Sequence, residues 1–302
     1  MIRTLAVVNP ASAGGSTDGR WPVIRELLAR QLDFEVAFSQ FPGHAIELGR
    51  EARTAGFDRV VCVGGDGTVN EVVNGVMTAD TDRPVPEIGI VPAGTGADFV
   101  RSIGVPSRYD EACARLGEPR RRVSDLGVVS FVGSRGPERR YFVNAAGLGY
   151  DAEVVSRRNG FNRYVRGTLP YLASLAATLL TYQNKEITVT VGSTRSRRRV
   201  NALVLAIGRF FGGGMRIAPH AEIADGLFDA VTIGDVGRLE LIGNVPGVYR
   251  GTHLRNPKVS VERTSEMRVE SDQRVLVQTD GELIGTLPAH FEIVPGALTV
   301  LC

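Results

Sequence analysis

The chain has 302 residues, of which 43% are hydrophobic and 23% charged, the balance of a soluble globular protein long enough for two domains. A formal net charge of +2 excludes a dedicated nucleic-acid binder, which would be far more basic. Cys62, Cys113 and Cys302 are odd in number and lack metal-ligand spacing, which excludes a disulfide framework and fits a reducing cytosol.

Up to about residue 118, strands alternate with helical patterns. The apolar run Thr4–Val8 reads as a buried strand ending in Asn9-Pro-Ala-Ser-Ala-Gly-Gly15. A helix from about Trp21 to Gln31, a strand at Phe34–Phe38 and a helix at His44–Ala55, closed by Gly56, follow. The strand Arg59–Val63 ends at Gly64-Gly65, and Thr68 with Glu71 has the capping-box spacing, so a helix is expected over Thr68–Met77. The strand Ile88–Val91 ends in Pro92-Ala-Gly-Thr-Gly96, and short helices are expected at Asp98–Ile103 and Tyr109–Leu116. This alternation predicts a Rossmann-like α/β domain with a parallel sheet, over residues 1–122.

The pattern changes from about Val123. Short strands are expected at Val123–Val132, Tyr141–Ala146, Lys185–Val191, Val200–Ile207, Phe228–Gly234, Lys258–Val261, Glu266–Glu270, Val275–Thr279 and His290–Ile293. Such a run predicts an antiparallel β-sandwich domain over residues 123–302. Sandwich edge strands can pair between chains, so a homodimer is compatible with the sequence. One helical segment, about Tyr164 to Tyr182, sets Leu172, Leu175 and Leu179 on one face. It reads either as a helix packed on the sandwich or as a lipid-facing helix whose flanking arginines meet anionic headgroups. Its apolar core, Leu169 to Tyr182, is below spanning length and contains Pro170, and the first apolar run is too short for a signal peptide. Basic clusters such as Arg195 to Arg199 read as solvated loops or as contacts to an acidic surface.

Chemistry concentrates at the three strand ends. A glycine turn feeding a helix N-terminus offers backbone N–H groups and a positive dipole end to phosphate. Asp66, inside the Gly64-Gly-Asp-Gly67 turn, would repel bare phosphate, so the pattern predicts a metal–phosphate complex. For one such turn, a corner shaped only by local geometry is the alternative; three of them at the carboxyl edge of one parallel sheet make a nucleotide site.

The ordered set Asn9-Pro-Ala-Ser12, Gly43-His-Ala45, Gly64-Gly-Asp-Gly-Thr-Val-Asn-Glu71, Pro92-Ala-Gly-Thr95 with Asp98-Phe99, Asp125-Leu-Gly127, Gly212-Gly-Gly-Met215, Ala224-Asp-Gly-Leu-Phe-Asp229 and Thr279-Asp-Gly-Glu282 resembles the diacylglycerol kinase catalytic family. The family includes bacterial lipid kinases and sphingosine and ceramide kinases. The resemblance implies a two-domain kinase that binds ATP in the cleft and phosphorylates a membrane lipid, acting peripherally at the cytoplasmic face of the membrane. It implies a nucleotide held by Asn9, Pro10, Ala11, Ser12, Ala13, Ser39, Gly64, Gly65, Asp66, Gly67, Thr68, Val69, Asn70, Glu71, Gly94 and Thr95. Asp66 would act with Mg2+, Glu282 as general base, and Glu222, Asp225 and Leu227 would hold a second Mg2+. Read without the family, Asp280-Gly281 is a plain hairpin turn.

Ala97 stands where the family has asparagine, Arg209 replaces another, and Gly14-Gly15 stands where some members carry lysine. Two other readings compete: a soluble-substrate kinase of the NAD kinase type, which also uses Gly-Gly-Asp-Gly, and a non-catalytic nucleotide- or lipid-binding regulator.

Overall fold

The computed structural model describes residues 2–94, 96–133, 136–161, 177–179 and 181–302, without the side chains of 158–161. The expected helix at Tyr164–Tyr182 lies mostly outside these residues. By contact the chain divides into a first unit, Met1–Leu126 with Gly296–Cys302, and a second, Gly127–Pro295. The division expected at 122/123 leaves out the return of the last seven residues to the first unit. That return is invisible locally, because strand partners are set by distant sequence.

The first unit carries β1 (Thr4–Val8), α1 (Ser16–Ala29), β2 (Glu35–Phe38), α2 (His44–Ala55), β3 (Arg59–Gly64), α3 (Asp66–Met77), β4 (Glu87–Pro92), α4 (Asp98–Ile103) and α5 (Tyr109–Arg115). The strands pair in parallel in the order β4-β3-β1-β2. Every residue of β1 and β3 is buried, as expected of strands covered by helices on both faces. The chain end adds a short parallel partner, Val300 and Leu301 beside Ile88 and Gly89 of β4. Because β1 lies between β2 and β3, its neighbours are reached in opposite directions, and the loops after β1 and β3 emerge side by side. Val8, Ile24, Leu28, Val61, Val63, Val91, Cys113, Leu116 and Leu301 form one buried cluster. Cys62 and Cys113 are buried free thiols, and burial pushes both up to about 12. Cys302 is also buried and raised by the same cause.

Two helix starts differ from expectation. The first helix begins at Ser16, and Pro22 sits inside it on an exposed turn, where the missing N–H is tolerated. The third begins at Asp66, and Glu71 is not its capping-box partner: the Glu71 carboxylate accepts the Gly43 and Ala45 N–H groups at 3.1 and 3.2 Å, closing the start of α2 instead.

The second unit takes the rest of β5 (Arg121–Gly133), then β6 (Gly136–Phe142), β7 (Ala145–Gly149), α6 (Tyr150–Phe161), β8 (Lys185–Val191), β9 (Thr194–Val200), β10 (Ala202–Ala206), β11 (Phe228–Ile233), α7 (Arg238–Arg250), β12 (Val259–Thr264), β13 (Glu266–Glu270), β14 (Leu276–Thr279) and most of β15 (Glu282–Leu301). One antiparallel path runs β12-β11-β10-β7-β14-β15, and β15 also pairs β13, which leads to β8 and β9. This is a β-sandwich type of domain. The strand expected at Tyr141–Ala146 is broken after Phe142, because Val143, Asn144 and Ala145 turn their N–H groups to Asp280. The strand expected at Val200–Ile207 is broken at Asn201, whose N–H bonds the Ile233 and Gly234 carbonyls. Residues 290–293 are the middle of a 20-residue strand whose prolines and glycines disguise its length. Helix α7 was not expected at all. No helix of the described residues is long and apolar enough to cross a membrane.

Candidate active site

In the first unit the three loops are tied together by hydrogen bonds. The Asn9 N–H donates to the Val63 carbonyl at 3.0 Å, and its side-chain amide donates to Thr68 Oγ1 at 3.0 Å. Asn9 Oδ1 accepts the Ala11 N–H at 3.1 Å, and the Ser12 hydroxyl donates to the Asn9 carbonyl at 2.9 Å. The loop then passes through Ala13, Gly14 and Gly15, all at positive φ; Ala13, at φ 50°, is the strained one. Ser39, after β2, donates its N–H to Val8 at 2.9 Å. Sequence reasoning missed Thr17. Its buried hydroxyl contacts Ser12 Oγ at 2.5 Å and donates to the Ala93 carbonyl at 2.9 Å, joining the first loop to the third.

The Gly64 and Gly94 loops meet backbone to backbone. A Cβ on Gly94 would lie 2.4 Å from the Gly65 Cα, and the Ala93 and Gly94 N–H groups both donate to the Gly64 carbonyl, at 2.9 and 3.2 Å. Only glycine at position 94 allows this approach. Asp66 opens α3, and its Oδ2 accepts the Asp98 N–H at 3.1 Å, so the same carboxylate also closes the start of α4. Ala97, at that cap position, has no side chain for the task. Gly67, Val69 and Asn70 lie in the first two turns of α3, with Val69 and Asn70 buried. Pro10 continues the first loop. Thr95 lies outside the described residues.

In the second unit the Thr279-Asp-Gly-Glu282 segment is more than a hairpin turn. Asp280, at φ 47°, accepts the N–H groups of Val143, Asn144 and Ala145 at 2.8, 3.0 and 3.0 Å. Glu282 Oε2 is met by Arg140 at 2.7 Å, a half-buried charge-assisted pair. Behind the turn, the Gly281 N–H donates to Gln278 Oε1 at 2.8 Å, and Gln278 Nε2 donates to Asp151 Oδ2 at 2.9 Å. Gln278 is fully buried. Burial raises the Asp151 carboxyl to about 6 against the hydrogen bonds from Gln278 and the backbone at Ala152. Arg140, Gln278 and Asp151 carry no local sequence signal.

The expected second metal set behaves differently. Glu222 is exposed, the Leu227 N–H closes the turn onto Asp225 Oδ1 at 3.0 Å, and the Arg263 guanidinium sits directly on Asp225 Oδ2. Arg263 also lies 4.0 Å from Asp229. Asp225 Oδ2 thus meets Arg263 and Oδ1 the Leu227 N–H, while none of these contacts involves the Glu222 and Leu227 backbone carbonyls, which the resemblance implies as the other ligands of the second Mg2+. Among the described residues no group of three or more acidic, histidine or cysteine side chains is placed to hold a metal.

The model of the diacylglycerol kinase catalytic domain matches residues 3–129, and that of the YegS C-terminal NAD kinase beta sandwich-like domain matches residues 144–302. A diacylglycerol kinase of Mycobacterium tuberculosis is 31% identical over 304 residues, covering 99% of this chain and 94% of the relative. One from Bacillus subtilis is 28% identical over 251 residues, 82% and 79% of the two chains. The crystal structure of a diacylglycerol kinase from Bacillus anthracis is similar in fold at a TM-score of 0.73 and 19% identity, covering 99% and 96%. Yeast NADH kinase complexed with NADH shares the fold more distantly, at a TM-score of 0.52 and 10% identity, covering 100% and 83%. With both halves of the chain matched in order, and a relative at 31% identity that covers 99% of this chain, the chain belongs to the diacylglycerol kinase family of lipid kinases.

Proposed function

We propose that the chain transfers the γ-phosphate of ATP to a hydroxyl of a membrane lipid such as diacylglycerol. The observation that carries this reading is the backbone contact of Gly94 with Gly65 beside the Asp66 carboxylate. Side-chain-free backbone and a carboxylate at helix starts suit a polyphosphate held with a divalent cation. On this reading Asn9 to Ala13, Ser39, Gly64 to Glu71, Gly94 and Thr95 hold the nucleotide. Asp66 would hold Mg2+, which when bound neutralises phosphate charge. A second Mg2+ on Asp225 and the Glu222 and Leu227 carbonyls would have to displace Arg263 from the Asp225 carboxylate.

The acceptor half is assigned to the second unit. The lipid hydroxyl oxygen forms the new bond to phosphorus as the bond to the ADP oxygen breaks, and the hydroxyl proton passes to Glu282. Arg140 orients that carboxylate. A diacylglycerol does not leave the bilayer, so the protein works as a peripheral partner of the cytoplasmic membrane face.

Purified protein given Mg-ATP with diacylglycerol, a sphingoid base, ceramide, an isoprenol or NAD, with phosphorylated product measured, tests the reading. A lipid product supports it; phosphorylation of NAD alone, or ATP binding with no product on any acceptor, sinks it. Glu282→Ala should lower turnover by about 10²-fold or more with nucleotide affinity unchanged, and retained turnover would remove Glu282 as the base.

A further inference from the structure

Helix α7, Arg238–Arg250, buries none of its residues. Leu239 is 86% exposed, Ile242 50%, Tyr249 47% and Val245 37%, which are high values for large apolar side chains. At roughly 100° per residue these four and the exposed Pro246 share one arc of about 120°. By the same count Arg238 and Arg250 fall within or beside that arc, and Glu240, the helix's one carboxylate, points the other way. The structure agrees: Glu240 pairs Lys258 at 2.7 Å and bonds Asn256 at 3.2 Å. The opposite side of the helix is its attachment, where Val248 packs against the cluster of Ala145, Val204, Ile217 and Val231.

The charges sharpen the contrast. On β9, Arg195, Arg197, Arg198 and Arg199 all meet carboxylates: Glu270, Glu186, Glu262 and Asp235. That arginine run is a paired strand face, so it offers little to an external anion. Among the described residues, Arg238, Arg250 and the neighbouring Arg255 make no ion pair, and all three are exposed. An exposed apolar arc with tyrosine in it, edged by unpaired arginines and free of carboxylates, has the chemistry of a helix lying in a bilayer interface. The apolar groups enter the acyl boundary while the guanidinium groups stay at the headgroups.

We infer that α7 docks this protein on the surface of an anionic phospholipid bilayer, with Leu239, Ile242, Val245 and Tyr249 inserted and Arg238 and Arg250 at the headgroups. This goes beyond the lipid-kinase reading, on which it rests only for the reason such docking would be useful. It is tested without nucleotide. The full chain is sedimented with vesicles of phosphatidylcholine alone and of phosphatidylcholine with equimolar phosphatidylglycerol. The parent should partition onto the anionic vesicles. Leu239→Ser with Ile242→Ser, and separately Arg238→Ala with Arg250→Ala, should each weaken partitioning by roughly tenfold or more, with the melting temperature unchanged because these side chains are exposed. Arg195→Ala with Arg197→Ala should leave it as in the parent.

In the kinase assay the α7 variants should lose activity on vesicle-borne diacylglycerol while keeping it on a short-chain monomeric one. Parent-like vesicle binding by both α7 variants overturns the inference. So does conversion of a dimer to a monomer by the same substitutions, which would make the arc an interface between copies. Vesicle binding that depends on α7 in a protein that phosphorylates no lipid supports the docking surface and overturns only the proposed acceptor.

Discussion

Asp151 is a carboxyl placed where water does not compensate its charge. Burial raises it to about 6 from an ordinary value of 3.8, although Gln278 donates to one oxygen. The folded state therefore binds the proton more tightly than the unfolded chain. Stability falls as pH rises through that window, and the loss is complete above it. Asp151→Asn keeps an acceptor for Gln278 and removes the charge. Urea unfolding should show the variant ahead of the parent by about 1–3 kcal/mol at pH 8, with the gap closing towards pH 4. A gap that does not change with pH would show that the Asp151 carboxyl is not raised in the folded state. Residues of this kind were not legible in the sequence. Gln278 and Asp151 are 127 positions apart, Arg140 and Glu282 142, and Thr17 and Ala93 76, and none of these pairings leaves a local pattern. Asp66 and the Gly64–Gly65 turn were legible because their chemistry is local: a turn needs glycine, and an acid beside it needs a reason.

At the scale of elements, the meeting of the loops after β3 and β4 is asymmetric. A Cβ on Gly94 would lie 2.4 Å from the Gly65 Cα, whereas a Cβ on Gly65 would lie 3.4 Å from the Gly94 Cα. Gly94→Ala must therefore push two backbones apart, and Gly65→Ala needs only a small adjustment. The first should lower ATP affinity by about tenfold or more and cost about 1–3 kcal/mol of stability, and the second clearly less. Calorimetric titration with Mg-ATP and thermal unfolding check this, and equal effects would argue against the close approach. Most helix and strand positions were readable because their apolar period matched their burial. Helix α7 was not, because Gly243, Pro246 and Gly247 read as loop, and because a helix whose apolar face points away from the core has no period that the core explains.

On the scale of the whole molecule, the two fold types followed from the change of pattern near residue 123. The closure of the first unit by the chain's last residues did not. Leu298, Val300 and Leu301 are at most 2% exposed, and Leu301 belongs to the same cluster as Val8 and Val61. Leu301→Ala should destabilise the first unit by about 2–5 kcal/mol, which denaturant unfolding would reveal as an earlier loss of its helical signal. An unchanged midpoint would mean that the final strand is dispensable there.

The placement of the cysteines makes that unit separately observable. All three thiols, Cys62, Cys113 and Cys302, are buried and lie in the first unit, and the second has none. A thiol-alkylating reagent added to the native protein at neutral pH meets groups that are both covered and protonated. Incorporation of label then counts openings of the first unit alone, and the second unit can breathe or unfold without adding to the count. The chain carries its own one-sided stopwatch, with no engineered probe required.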